Sequence, residues 1–275
     1  VFHKWVHGVN FRIRKEKILK ADKNIKKQIT TILSNLWRKL SNIVQKNIEE
    51  GDVKTQAKSS TILKQDLISG MNCEQVFQKH IIDGSSYYFT EVLKKPNLEY
   101  ELRHELAKAL KINVNDVIIV GSSKLGYSVK TDSFKSFDAE FTETGEWRKR
   151  SDIDIAIINR NFYDKTIEQI YHLSRHFDEE WIKENWRMNW FFKEPRKNLH
   201  IKYALYLAKG WIRPDYLPGV FLENAEWTPV CNVWHKKLNK RKICVGFYAD
   251  WIYLKHYQMD NLEKLRGSFG KQVGE

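Results

Sequence analysis

Cysteine is scarce in this 275-residue chain. Its three cysteines, Cys73, Cys231 and Cys244, are odd in number, widely spaced and never part of a CxxC pair, which argues against a disulfide framework or a zinc knuckle. Such usage suits a reducing compartment, so a cytoplasmic setting is expected. No window of 18 residues is apolar and uncharged, so neither a transmembrane helix nor membrane insertion is expected. The opening VFHKWVHGVNFRIRKEK is too broken by charge to read as a signal peptide. Five prolines and 13 glycines are too few for a collagen-like or low-complexity chain. The nine histidines show no HExxH spacing, and no GxSxG elbow surrounds a serine. Acidic residues are outnumbered: 47 Lys and Arg against 34 Asp and Glu leave a net +13. That balance favours polyanionic partners such as nucleic acid, nucleotides or an anionic membrane face. Residues 1–50 carry 12 Lys/Arg and 4 Asp/Glu, so +8 of the excess lies there. A solubilising helix face is the plain alternative.

What is present suits a globular chain of one large domain or two small ones, with 10 Trp and 13% aromatic residues to fill a core. Residues 22–50 have helical periodicity through Ile25, Ile29, Leu33, Leu36, Leu40, Ile43 and Val44, with Asp22 as N-cap and Gly51 beyond the end. A polar loop over 52–60 and shorter helices near 61–69 and 85–95 follow, the second stopped by Pro96. Leu98–Leu110 presents Leu102, Leu106 and Leu110 on one helical face. Val117–Val120 is a strand buried on both sides, ended by Gly121. After a polar excursion over 131–149 come a strand at Asp152–Ile158, a helix over 164–183, an aromatic-rich stretch and a loop over 210–219. A third strand spans Ile243–Ala249, and Asp250 caps a last helix through Leu265. The order implies an α+β fold: a mixed sheet flanked by helices, with a helical N-terminal part. The division is expected near residue 96, giving 1–96 and 97–275.

Two features carry chemistry. In Val120-Gly121-Ser122-Ser123-Lys124, a buried strand runs into Gly-Ser and a helix start. The glycine allows a tight turn and close approach of a ligand, the amides and hydroxyls suit a phosphate, and Lys124 would add a point charge. Gly-Ser after a strand is also a common plain turn. In Ser151-Asp152-Ile153-Asp154-Ile155, residues i and i+2 of a strand share a face, so Asp152 and Asp154 project together while Ile153, Ile155 and Ile157 face the other way. Paired carboxylates on an otherwise apolar strand need compensation, which a divalent cation would supply. The alternative is an edge strand with a solvated acidic side.

Together these features resemble the nucleotidyltransferase superfamily typified by DNA polymerase beta, firmly over about 98–160 and loosely over 98–250. The resemblance implies that Gly121 and Ser122, with Ser123 and Lys124 beside them, engage nucleotide phosphates. It implies that Asp152 and Asp154 hold Mg2+ or Mn2+. The implied activity is template-independent transfer of an NMP or dNMP from a nucleoside triphosphate to a hydroxyl, releasing pyrophosphate; nucleic acid is one possible acceptor, and an oligomer is possible. Many bacterial members act in phage defence, making nucleotide signals or modifying tRNA as toxins. The chain departs from the pattern in the long connection from Ser122 to Asp152 and in lacking an obvious third carboxylate. Asp215, in Arg213-Pro214-Asp215, is the first alternative for that place and otherwise a turn residue; helix capping is the plainer job for Asp250. A two-carboxylate site also fits. Trp181, Trp186, Trp190, Phe191 and Phe192 read as core or as base-stacking residues, with Lys193, Arg196 and Lys197 nearby to contact phosphates. The alternative from another class is a non-catalytic nucleotide- or nucleic-acid-binding protein on the same fold.

Overall fold

A computed structural model describes residues 62–128, 135–186, 188–189, 194–195, 199–221 and 225–272, with Thr31 and Lys39. The chain divides into two compact units, Val1–Lys54 and Thr55–Glu275, and the second holds the sheet. Apart from Thr31 and Lys39, both helical, the helix expected over 22–50 lies outside the described residues. So do the loop expected over 52–60 and residues Trp190, Phe191, Phe192, Lys193, Arg196 and Lys197.

The second unit begins with α1 (62–68) and α2 (Cys73–Phe77). Asn72 and Gln75 form a capping box at the start of α2, which runs on as a π turn over Gln78–Ile82. A further π turn covers Tyr88–Val92. Next come α3 (Asn97–Leu110), β1 (Val117–Val120) and α4 (Ser122–Leu125). The polar excursion holds β2 (Tyr127–Ser128), β3 (Lys135–Ser136) and α5 (Ala139–Thr144). Then follow β4 (Ile153–Ile158), α6 (Arg160–Leu173), α7 (Glu179–Asn185), the short pair β5 (Met188–Asn189) and β6 (Glu194–Pro195), and α8 (Leu199–Ala208). The chain continues through β7 (Trp211–Ile212), α9 (Thr228–Lys237), β8 (Ile243–Tyr248) and α10 (Trp251–Gln272).

Four strands form the central mixed sheet in the order β1-β4-β8-β7. β1 runs antiparallel to β4, β4 parallel to β8, and β7 antiparallel to the end of β8. The alternation of β4 sorts its residues into two cores. Ile153, Ile155 and Ile157 pack with Leu102, Leu106 and Leu110 of α3 and with Trp234 and Leu238. Ala156 and Ile158 pack with Leu63, Leu67, Val76 and Phe77 from the first two helices and with Leu254, Leu262 and Leu265 of α10. Arg103 ties α3 to the sheet by donating to the Val117 and Val114 carbonyls. The fold is thus mixed α+β, with helices over both faces of a small sheet. No helix among the described residues is long and apolar enough to cross a membrane.

The strands at 117–120, 153–158 and 243–248 and the helices at 97–110 and 251–272 stand within a residue or two of their expected positions, except that the last helix runs on to Gln272. Other expectations are corrected. The helix read over 164–183 is two helices, because Arg175, His176 and Phe177 take left-handed backbone angles and Asp178 caps a fresh helix at Trp181 N. The 210–219 loop contains β7, and the aromatic-rich stretch before it contains α8. No break falls at residue 96: residues 62–82 pack in one wall of the core and Tyr87, Tyr88 and Phe89 in the other, and the unit containing the sheet starts at Thr55.

This packing predicts that a chain starting at residue 97 loses cooperative thermal unfolding, because Ile118, Val120, Ala156, Ile158 and Leu254 would face water. A chain starting at Thr55 should keep it; circular dichroism melts of the two decide.

Candidate active site

The centre of the site is a three-strand register. Val120 at the end of β1 pairs with Asp154, and Asp154 pairs with Cys244 on the other side. Gly121 follows with φ +69° and ψ −153°, a region that side-chain-bearing residues avoid. A Cβ at Gly121 would stand 2.6 Å from Asp154 Oδ2. The glycine is therefore needed twice, for its backbone angle and for the space that the carboxylate fills.

Asp152 stands just before β4, whose first residue is fixed to the next strand by Ile153 N donating to the Lys242 carbonyl at 2.8 Å. Its Oδ2 accepts from the Cys244 thiol at 3.3 Å and lies 3.5 Å from Lys242 Nζ. Burial pushes the Cys244 thiol up to about 12, and the neighbouring Asp152 charge adds to the effect, so the sulfur keeps its proton near neutrality and serves as the donor. Cys244 was not singled out as a site residue. Its signal was the register: it lies two residues before Gly246, on the face that Asp154 shares.

These groups line a cavity of about 480 Å³ whose wall includes Gly121, Ser122, Asp152, Asp154, Asp215 and Gln258. Of the four residues expected to meet phosphates, Gly121 and Ser122 are on it. The Ser122 hydroxyl makes no hydrogen bond with any described residue. Ser123 and Lys124 are corrections. Ser123 is buried and donates to the Val120 carbonyl at 3.1 Å. Lys124 is 5% exposed, donates to the Gly84 carbonyl and sits 4.0 Å from Glu99. Burial lowers its pKa, with Glu99 partly offsetting the shift. Two positions along a helix rotate a side chain about 200°, so Lys124 departs from the face that Ser122 presents.

Asp215 also reaches the cavity wall, but both of its oxygens accept from Arg213, at 3.0 and 2.9 Å. The Arg213 guanidinium lies over the Tyr216 ring at 4.6 Å and the Tyr206 ring at 5.6 Å. Asp250 does what helix capping requires, accepting from Ile252 N at 3.0 Å. Trp186 is core, its indole N–H donating to the Tyr216 carbonyl at 2.8 Å. At the far end of the cavity, Trp211 lies against Gly246, where a Cβ would meet its ring at 3.1 Å. Trp211 also stacks on Tyr248, with 5.1 Å between centroids and 7° between planes.

Among the described residues, no three His, Cys, Asp or Glu side chains are grouped as a metal cluster. The donor chemistry of Asp152 and Asp154 nevertheless suits a hard cation such as Mg2+, which commonly takes one or two carboxylates and completes its shell from water and substrate phosphates. Comparison with protein-family models, curated proteins and solved structures found no match.

The contact between Gly121 and Asp154 can be measured as a coupling energy. Gly121→Ala is expected to cost about 1–3 kcal/mol through its backbone angle, and more through the clash. In a denaturation double-mutant cycle with Asp154→Ala, the combined loss should fall short of the sum of the single losses by roughly 0.5–3 kcal/mol. Strict additivity would mean that the two positions do not touch.

Proposed function

We propose that the chain is a metal-dependent nucleotidyltransferase that moves a nucleoside monophosphate from a nucleoside triphosphate to a hydroxyl acceptor and releases pyrophosphate. The observation that carries this reading is that Asp152, Asp154, Gly121 and Ser122 line one cavity, with Asp154 set directly against Gly121. Asp152 and Asp154 would hold the Mg2+ or Mn2+. When bound, the cation would lower the pKa of the attacking hydroxyl and offset the charge building on the leaving pyrophosphate. The protein's own parts bind and orient. The bare backbone at Gly121 lets phosphate oxygens approach the strand end, and the Ser122 hydroxyl is available to donate to them. Cys244, donating to Asp152, holds that carboxylate in one orientation.

A second reading, a nucleotide- or nucleic-acid-binding protein without turnover, is favoured by one specific feature. The place beside Asp154 where a third carboxylate would stand on the neighbouring strand is a protonated thiol, and Asp215 is already paired with Arg213.

The two readings separate on incubation with each labelled NTP and dNTP plus Mg2+ or Mn2+, scoring pyrophosphate, oligonucleotides, extended nucleic-acid ends and labelled protein. Asp152→Asn with Asp154→Asn is expected to remove turnover by roughly 10³-fold or more. It should leave the fold intact, since the isoleucines of β4 carry the packing. Asp250→Asn should cost at most about 1 kcal/mol of stability through its cap and leave turnover alone. An active double variant, or binding without turnover under any metal, would overturn the enzymatic reading.

A further inference from the structure

We infer that the inner end of the cavity, between α10 and the β7–β8 edge, receives the nucleobase, and that Gln258 reads the edge of that base. The inference rests on the nucleotidyltransfer reading above and names a recognition site within it. The starting observation is a polar residue in an apolar stripe. Leu254, Leu262 and Leu265 form the buried face of α10, and Gln258 occupies the same stripe one turn from Leu254 and one turn from Leu262. It is 5% exposed. The Gln258 carboxamide makes no hydrogen bond with any described residue, and neither of its polar atoms is among the fully buried ones that lack a partner, so both are reached from outside the packed helix face. It lines the cavity, which gives its donor and its acceptor somewhere to act.

The surrounding surface suits a flat ring. Trp211 is parallel to Tyr248, and Tyr257, one residue before Gln258, tilts against Trp211 at 5.2 Å. All three line the cavity. Gly246 admits the indole to the sheet, since any larger residue there would meet it. Gly246 and Tyr248 share their strand face with Cys244, and so with Asp154. The aromatic wall and the carboxylates therefore belong to one continuous surface, separated by roughly 13 Å of strand. A base placed at the aromatic end leaves its phosphates pointing toward Gly121 and Ser122. A carboxamide offers one donor beside one acceptor, which pairs with adenine at N6 and N7 and equally with the adjacent donor and acceptor on the Watson–Crick edge of any free base. Gln258 is therefore expected to set a preference among the bases through their polar edges.

The test uses the full chain, Mg2+, and the α,β-methylene analogues of ATP, GTP, CTP and UTP, which cannot release pyrophosphate. Inorganic tripolyphosphate is the control ligand, and affinities are measured by titration calorimetry. The wild type should favour one base analogue over the others. Gln258→Leu, which extends the leucine stripe, should weaken that analogue by roughly tenfold to a hundredfold and flatten the ranking of bases. Tripolyphosphate binding and the melting temperature should not fall. Gln258→Glu, which keeps the size and removes the donor, should show the same selective loss and stands in if the leucine variant does not fold. An unchanged base ranking in both variants, alongside intact tripolyphosphate binding, would overturn this inference and leave the phosphate site standing. If the wild type binds neither the analogues nor tripolyphosphate, the nucleotidyltransfer reading falls and this one with it.

Discussion

The structure turns on a carboxylate pressed against a glycine. Asp154 sits in the middle of a three-strand register, between Val120 and Cys244, where the neighbouring positions of β4 are isoleucines and an alanine. An ionised group in that place is tolerable only where the packing stops, and the packing stops at Gly121. With no Cβ there, the carboxylate fills the gap at the end of β1 and faces a cavity rather than a core. The same glycine angle ends the strand and begins α4, so chain direction, charge placement and access to the cavity are settled by one residue.

The rest of the fold keeps that point rigid. On one face of β4 the isoleucines meet α3, α6 and α9; on the other, α1, α2 and α10 close over Ala156 and Ile158. The second layer explains why the helices before residue 97 belong with the sheet. A strand buried on both faces needs two covers, and the part of the chain after β1 gives the second one α10, with Leu125 of α4 and Trp211 of β7 beside it, so the earlier helices must complete it. Arg241 extends the support to the excursion after β1. Its buried guanidinium bonds the Asp138 carboxylate and the Ser151 carbonyl, holding the residue before Asp152 in place.

The sequence was most legible where a single local rule governed. Val117–Val120 and Ile153–Ile158 are short, rich in β-branched residues and bounded by turn residues, which favours strands, and the leucine spacing of α3 favours a helix. The acidic pair was legible because strand periodicity alone puts Asp152 and Asp154 on one face. Legibility failed where tertiary contacts decide. β7 is two residues long and exists only by pairing with Tyr248 and Phe247. The break after α6 depends on three left-handed residues that are not glycine. Lys124 read as a phosphate contact because its position near Ser122 is visible in sequence, whereas its burial beside Gly84 and Glu99 comes from the packing of α4 against the earlier helices. Gln258 belongs to no sequence motif; its place among Leu254, Leu262 and Leu265 and its exposure to the cavity come from the packing of α10.

The thiol at Cys244 changes the electrostatics that the proposed reaction must work with. Protonated near neutrality, it contributes a hydrogen bond to Asp152 and no charge. Asp215 contributes little net charge to the cavity, because Arg213 neutralises it through both oxygens. The carboxylates beside Gly121 on the cavity wall are Asp152 and Asp154, and a half-exposed Lys242 lies against Asp152. Two carboxylates attract a hard dication less than three would. On the proposed reading, the missing share of negative charge must arrive with the triphosphate, so cation and nucleotide each bind better with the other present. That coupling is reciprocal by linkage. It makes a base-reading group elsewhere on the cavity wall consequential for the carboxylates: on that reading, whatever Gln258 contributes to holding the nucleotide also helps to hold the cation.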